Sequence, residues 1–145
     1  MTPELHEAVH DIVLDIVNAA AVDDKRTQWS AYQRLAELCE TSEREGRRHP
    51  FQWEALGDFT TDRALAIGFY EKALGYAREA RLEDYVASIC FAMAEALLDM
   101  GEFARARSAA WEGHESASKT ADLELRQSIS ELLLRLSEGT WRPAP

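Results

Sequence analysis

The sequence predicts an all-α fold of antiparallel helical hairpins, and three observations carry that prediction. Apolar residues return at helical spacing along nearly the whole chain. No alternating run rich in Val, Ile and Thr and bounded by turn residues interrupts them, so no strand is expected. Turn signals such as "EGRRHP" and "MGEF" separate the periodic segments, which number about seven.

Taken in order, "PELHEAVHDIVLDIVNAA" sets Leu5, Val9, Ile12, Val13 and Ile16 on one stripe, and Thr2 with Pro3 is a start signal. "DDKRTQWSAYQRLAELCETSE" does the same with Trp29, Tyr32, Leu35, Ala36 and Cys39, until Gly46 ends it. "RRHP" turns the chain into a short helix carrying Phe51, Trp53 and Leu56. A further helix runs from about Asp62 to Ala80. The next, "EDYVASICFAMAEALLDM", is apolar nearly all round and belongs in the middle of the packing. After the tight turn "MGEF", "ARARSAAWEGHESASK" and "ADLELRQSISELLLRLSEG" complete the set. The last helix carries Leu125, Ile129, Leu132, Leu133 and Leu136 with no following helix to cover them. That stripe needs either the preceding helix or a second copy of the chain, a homodimer through residues 121–137. The expected organisation is one domain over residues 1–138, with a helix pair in 1–46, repeat hairpins in 50–138 and a loose tail in 139–145.

The chain's 145 residues suit one domain able to bury a core without metals or disulfides. Cys39 and Cys90 stand far apart and outside any CxxC pairing, so they are expected to be buried thiols in a reduced, cytoplasmic protein. No apolar run approaches membrane-spanning length, and "MTPELHEAVHDIVLDI" carries acids where a signal peptide carries bases, so no membrane contact is expected. A net charge of −10 repels phosphate and argues against a nucleic-acid partner. The same charge would steer a basic protein towards the chain.

The chain also repeats itself. Ala66, Tyr70, Ala73 and Ala77 have the mutual spacing of Ala106, Ala110, Gly113 and Ala117, each offset by 40. The offset continues as Ile89 with Ile129, Met93 with Leu133 and Ala96 with Leu136. A second landmark, Gly57-Asp58-Phe59 against Gly101-Glu102-Phe103, is offset by 44, as a short insertion around "TTDR" would produce. Over about residues 50–137 this pattern resembles the tetratricopeptide repeat, whose first helix ends in a Gly-acidic-aromatic turn and whose second carries spaced small residues. "EALLDMGEFARARSAA" and "ALAIGFYEKALGYA" carry the likeness. The period of 40 exceeds that family's usual spacing of about 34, and Ala110 stands where its pattern has an aromatic. The resemblance implies a short solenoid whose first helices line a partner-binding face. On this chain those positions are Phe51, Ala55 and Asp58 in one copy and Phe91, Glu95 and Asp99 in the other. Aromatic area flanked by carboxylates would suit a basic, partly apolar segment.

One motif points elsewhere. "HEAVH" places His6 and His10 at i, i+4 around Glu7, the spacing with which a helix holds zinc beside a general base. The glycine and third histidine of the longer metzincin pattern are replaced by Val13 and Ile16, and no strand follows for a substrate to lie along. The motif is therefore read as helical spacing, with no catalytic residue, metal or cofactor assigned. A zinc hydrolase using His6, Glu7 and His10 stands as the alternative. The leading expectation is a non-catalytic protein-binding module for one dedicated basic client. Its sharper form is an immunity protein or chaperone masking a toxin or effector. A structural homo-oligomer is the third reading.

Overall fold

Among residues 3–137, which the computed structural model describes, the chain forms seven α-helices and no strand. They are α1 (Pro3–Ala21), α2 (Lys25–Arg44), α3 (Pro50–Asp58), α4 (Arg63–Glu79), α5 (Glu83–Asp99), α6 (Phe103–Ala117) and α7 (Leu123–Ser137). The tail expected over 139–145 lies outside the described residues.

Local chemistry sets the boundaries. Asp24 caps α2, accepting from Thr27 N at 3.1 Å and from Thr27 Oγ1 at 2.6 Å. Those bonds hold its carboxyl below the ordinary aspartate value. Pro50, which has no N–H to lose, opens α3. Four helix ends share one device, a single residue in the left-handed region: Asp23, Gly46, Arg81 and Gly101. At each, the following amide reaches back to a carbonyl of the last turn, as Asp24 N to Ala19 O, Arg47 N to Ser42 O, Leu82 N to Ala77 O and Glu102 N to Leu97 O, all at 2.8–2.9 Å. Carbonyls that a helix end would strand are thereby satisfied.

The helices fall into two compact units, one ending at Tyr76 and the other starting at Ala77. In the first, α1 packs along α2, and α3 packs on both. Leu5, Val9, Ile16 and Ala19 of α1 are buried with Ala31, Leu35 and Cys39 of α2 and Trp53, Ala55 and Leu56 of α3. The buried line of α2 therefore differs from the expected one. Trp29 is 59% exposed, and Ala31 occupies the inward position. A methyl lets α1 and α2 approach where an indole would hold them apart. Glu43 ties α2 to α4: it accepts from the Tyr76 hydroxyl and lies 3.5 Å from Lys72 Nζ and 3.7 Å from Arg48 Nε.

In the second unit α5 lies against α6, and α7 packs on α6 and touches α5. Eight residues of α5 are buried, from Val86 to Leu97, in line with its all-round apolar sequence. Ile129, Leu132, Leu133 and Leu136 of α7 are buried within the single chain, so the preceding helix covers that stripe. Outside the helix pair, Arg78 donates to Glu112 from Nε at 2.7 Å, and its Nη2 completes a bidentate pair.

Every pair related by the offset of 40 is buried on both sides: Ala66, Tyr70, Ala73 and Ala77, like Ala106, Ala110, Gly113 and Ala117. The offset-44 landmark separates into two different glycines. Gly101 is a turn residue at φ +78°, the role expected of both. Gly57 is helical, inside α3, and is glycine for another reason: a Cβ there would lie 2.7 Å from Tyr70 Cε1. Tyr70 is buried, and its hydroxyl donates to Asp58 Oδ1 at 2.7 Å, so the ring has little freedom to yield.

Opposite outcomes follow for two helical glycines. Gly57→Ala is expected to lower unfolding free energy by about 1–2 kcal/mol, the clash with Tyr70 outweighing the gain in helix propensity. Gly68→Ala, where a Cβ meets nothing within 4 Å, is expected to raise it by about 0.5–1 kcal/mol. Urea denaturation of both variants beside the parent chain checks the pair of signs.

Candidate functional site

The first unit bears an apolar cleft of about 390 Å³ between α1, α2 and the start of α4. Its wall is Trp29, whose ring stacks on Tyr32 with centroids 5.6 Å apart and planes at 23°. Phe59 and Leu65 form the other apolar side, with Ile16 at the base. The α3–α4 connection is held against this wall by hydroxyls. Tyr32 Oη and Thr60 Oγ1 are 2.7 Å apart, and Thr60 Oγ1 donates to Leu56 O at 2.7 Å. Asp62 Oδ1 accepts from Leu65 N at 3.0 Å, capping α4 at the rim, and Lys25 and Gln28 add polar edges. A mostly apolar hollow with an exposed indole and a few polar groups can seat a bulky apolar side chain of another molecule.

Nothing in the sequence reading marked this site. The signal was present in "KRTQWSAYQR", where the line Ala31, Leu35, Cys39 and Ser42 competes with the more hydrophobic Trp29–Tyr32 line for the inward face. Leu65 lies where the chain leaves a non-periodic connection, so periodicity carries no information about it.

The six partner-binding positions divide three to each unit. In the first, Phe51 is half-buried and its ring stacks on His6 at 4.8 Å between centroids. Ala55 is a buried packing residue, and Asp58 is exposed while accepting from Tyr70. In the second, Phe91 is half-buried on α5, with Glu95 and Asp99 exposed one and two turns further on. Glu95 and Asp99 are thus exposed acids, whereas the Phe51 ring stacks on His6.

His6, Glu7 and His10 are all exposed on α1. Among the described residues no group of three His, Cys, Asp or Glu side chains is arranged to hold a metal ion. Both cysteines are buried, with Cys39 Sγ donating to Gln52 O at 3.2 Å. Burial pushes both thiols up to about 12, well away from the thiolate character of a nucleophile. No helix among the described residues is long and apolar enough to cross a membrane.

His49 has a structural task as a helix cap. Its Nδ1 accepts from Phe51 N at 3.1 Å, so the α3 cap requires the unprotonated ring nitrogen. Burial holds its pKa below the ordinary value, with the nearby His6 charge acting in the same direction.

No protein-family model matches the chain, and no curated protein or solved structure matches it.

A pH dependence follows from the cap. A histidine whose folded pKa is depressed adds stability above its unfolded value of 6.5, and that contribution is lost as pH falls through the folded value. The cap is worth about 1 kcal/mol. Between neutral pH and pH values below 6.5, the parent chain is therefore expected to lose about that much more stability than His49→Asn, whose side-chain oxygen caps without titrating. Urea midpoints of the two proteins across this range check it, and equal pH slopes would remove the cap from the account.

Proposed function

We propose that the chain is a non-catalytic protein-interaction module that seats a bulky apolar anchor of a basic client in the Trp29 cleft. The observation that carries this reading is the exposed indole. A tryptophan 59% open to solvent, stacked on Tyr32 over an apolar hollow, has the residue type and setting of interface hot spots. The charge supports the sign of the client. Residues 1–76 hold 14 acids against 8 bases, so a basic segment is attracted before contact. In the second unit Glu95 and Asp99 are exposed acids on α5.

Paired burial of the positions offset by 40 supports the tetratricopeptide-like reading of residues 50–137, and with it a binding rather than a catalytic role. The sharper form of the proposal is a dedicated client, a basic toxin or effector that the chain masks until release, supported by the small size and acidity of the chain.

Capture from lysate of the source cell, with the purified chain as bait, tests this. One basic protein retained near stoichiometry is expected. Trp29→Ala should cut its retention at least tenfold, since truncating a central aromatic anchor costs about 2 kcal/mol or more. Glu95→Lys/Asp99→Lys should weaken capture mainly at low salt. Full retention by Trp29→Ala would remove the cleft from the binding surface, and absence of any retained protein would count against the module itself.

A further inference from the structure

The second unit bears a groove whose chemistry is opposite to that of the chain as a whole. Two adjoining hollows of about 240 and 210 Å³ share His114 and Ser130 and run between α6 and α7. Their apolar part includes Trp111, 56% exposed, and Leu134, 58% exposed, with Leu123 near the start of α7. Their charged groups are Arg107 and Arg126, and no carboxylate lines either hollow. In a protein of net charge −10, a groove with two arginines and no acid selects an acidic occupant. From Arg107 on α6 to Ser118 at its C-cap, both lining residues, the groove follows the helix for about 16 Å at 1.5 Å rise per residue. That is the length of three helical turns, suited to a helix laid in it.

A matching helix face stands exposed on the same chain. α1 carries Glu4, Glu7, Asp11 and Asp15 and no lysine or arginine. Its inward stripe is Leu5, Val9, Ile16 and Ala19, yet Leu14 is 44% and Val17 47% exposed on the other side. Leu14, Val17 and Ala21, all exposed, recur at i, i+3 and i+7, and His10 extends the line towards the N-terminus. From His10 to Ala21 this stripe also spans about 16 Å. Apolar anchors, length and sign of charge therefore agree between α1 and the α6–α7 groove.

We propose that the chain associates with a second copy of itself head to tail, the outer face of α1 on one copy lying in the α6–α7 groove of the next. The two surfaces differ, so the interface is heterologous rather than isologous. It is distinct from the Trp29 cleft and stands whether or not a client binds there. Three or four anchors make a small contact, among weak and reversible interfaces, and its charge component is screened by salt.

Sedimentation velocity on the full chain across the micromolar range tests this. The weight-average mass is expected to rise with concentration, and the rise to shrink at high salt. Leu14→Lys sets a cation against the arginines, and Leu134→Glu sets an acid against α1. Both positions are exposed, so the fold tolerates them, and circular dichroism confirms it. Each variant alone should associate at least tenfold more weakly than the parent chain. An equimolar mixture should recover association, because one variant keeps an intact α1 and the other an intact groove. Val17→Lys and Leu123→Glu form a second pair with the same expectation. A parent chain that stays monomeric, variants that associate like it, loss in only one of the two, or a mixture that fails to recover would each overturn the proposal.

Discussion

Helices in this protein meet at distances set by glycine and alanine. Gly57 leaves room for the Tyr70 ring, and Gly113 leaves room for Cys90, whose Cβ would stand 3.0 Å from an added Cβ. Ala73, Ala77, Ala87, Ala94, Ala106 and Ala110 are almost wholly buried. Such residues lose no side-chain entropy on packing and bring backbones close, so each larger neighbour gathers more dispersion contacts. An interior packed this way is more vulnerable to added atoms than to conservative swaps. The same constraint is consistent with Ala31 rather than Trp29 taking the buried position on α2, with the indole left at the surface.

The connections obey a second constraint, satisfaction of backbone polar groups. Four helix ends close with one left-handed residue, twice glycine and twice a residue with a Cβ, Asp23 and Arg81. A non-glycine residue in that region costs about 1 kcal/mol, which the recovered carbonyl bonds offset. Side-chain satisfaction is less complete at the α2–α3 joint. Ser42 Oγ, Glu43 Oε2, Arg47 Nε, Gln52 Oε1 and Trp53 Nε1 are buried without a hydrogen-bond partner, all within residues 42–53. A cation and a carboxylate meet at the same joint. Lys72 Nζ sits 4.5 Å from the centroid of the Trp53 ring while also approaching Glu43. Burial disfavours the Glu43 carboxylate, yet the Tyr76 hydroxyl bond and the Lys72 and Arg48 charges together hold its pKa below the ordinary value.

Apolar surface that helix packing leaves uncovered is where binding is proposed. Trp29 and Leu65 lie at one such place, Trp111 and Leu134 at another, and Leu14 and Val17 at a third. Their charge surroundings differ although all belong to one acidic chain. The α6–α7 groove has arginines and no acid, whereas α1 has acids and no arginine. Net charge describes how a protein draws partners from a distance, and only the local arrangement decides which surface receives them.

The sequence by itself determined the all-α class, the seven helices and most of the inward stripes, because helical periodicity is written in the order of apolar residues. It marked the small-residue positions at an offset of 40, and each is buried. It did not distinguish Gly57 from Gly101, since a glycine kept for a close approach and one kept for a left-handed turn are the same letter. Nor did it show that α2 turns Ala31 inward, that His49 uses a ring nitrogen as a helix cap, or that His6 spends its ring on Phe51. Those outcomes depend on what stands opposite each residue. A stripe of apolar letters says that a face will be covered, and the neighbour that covers it decides how closely and with which side chains left outside.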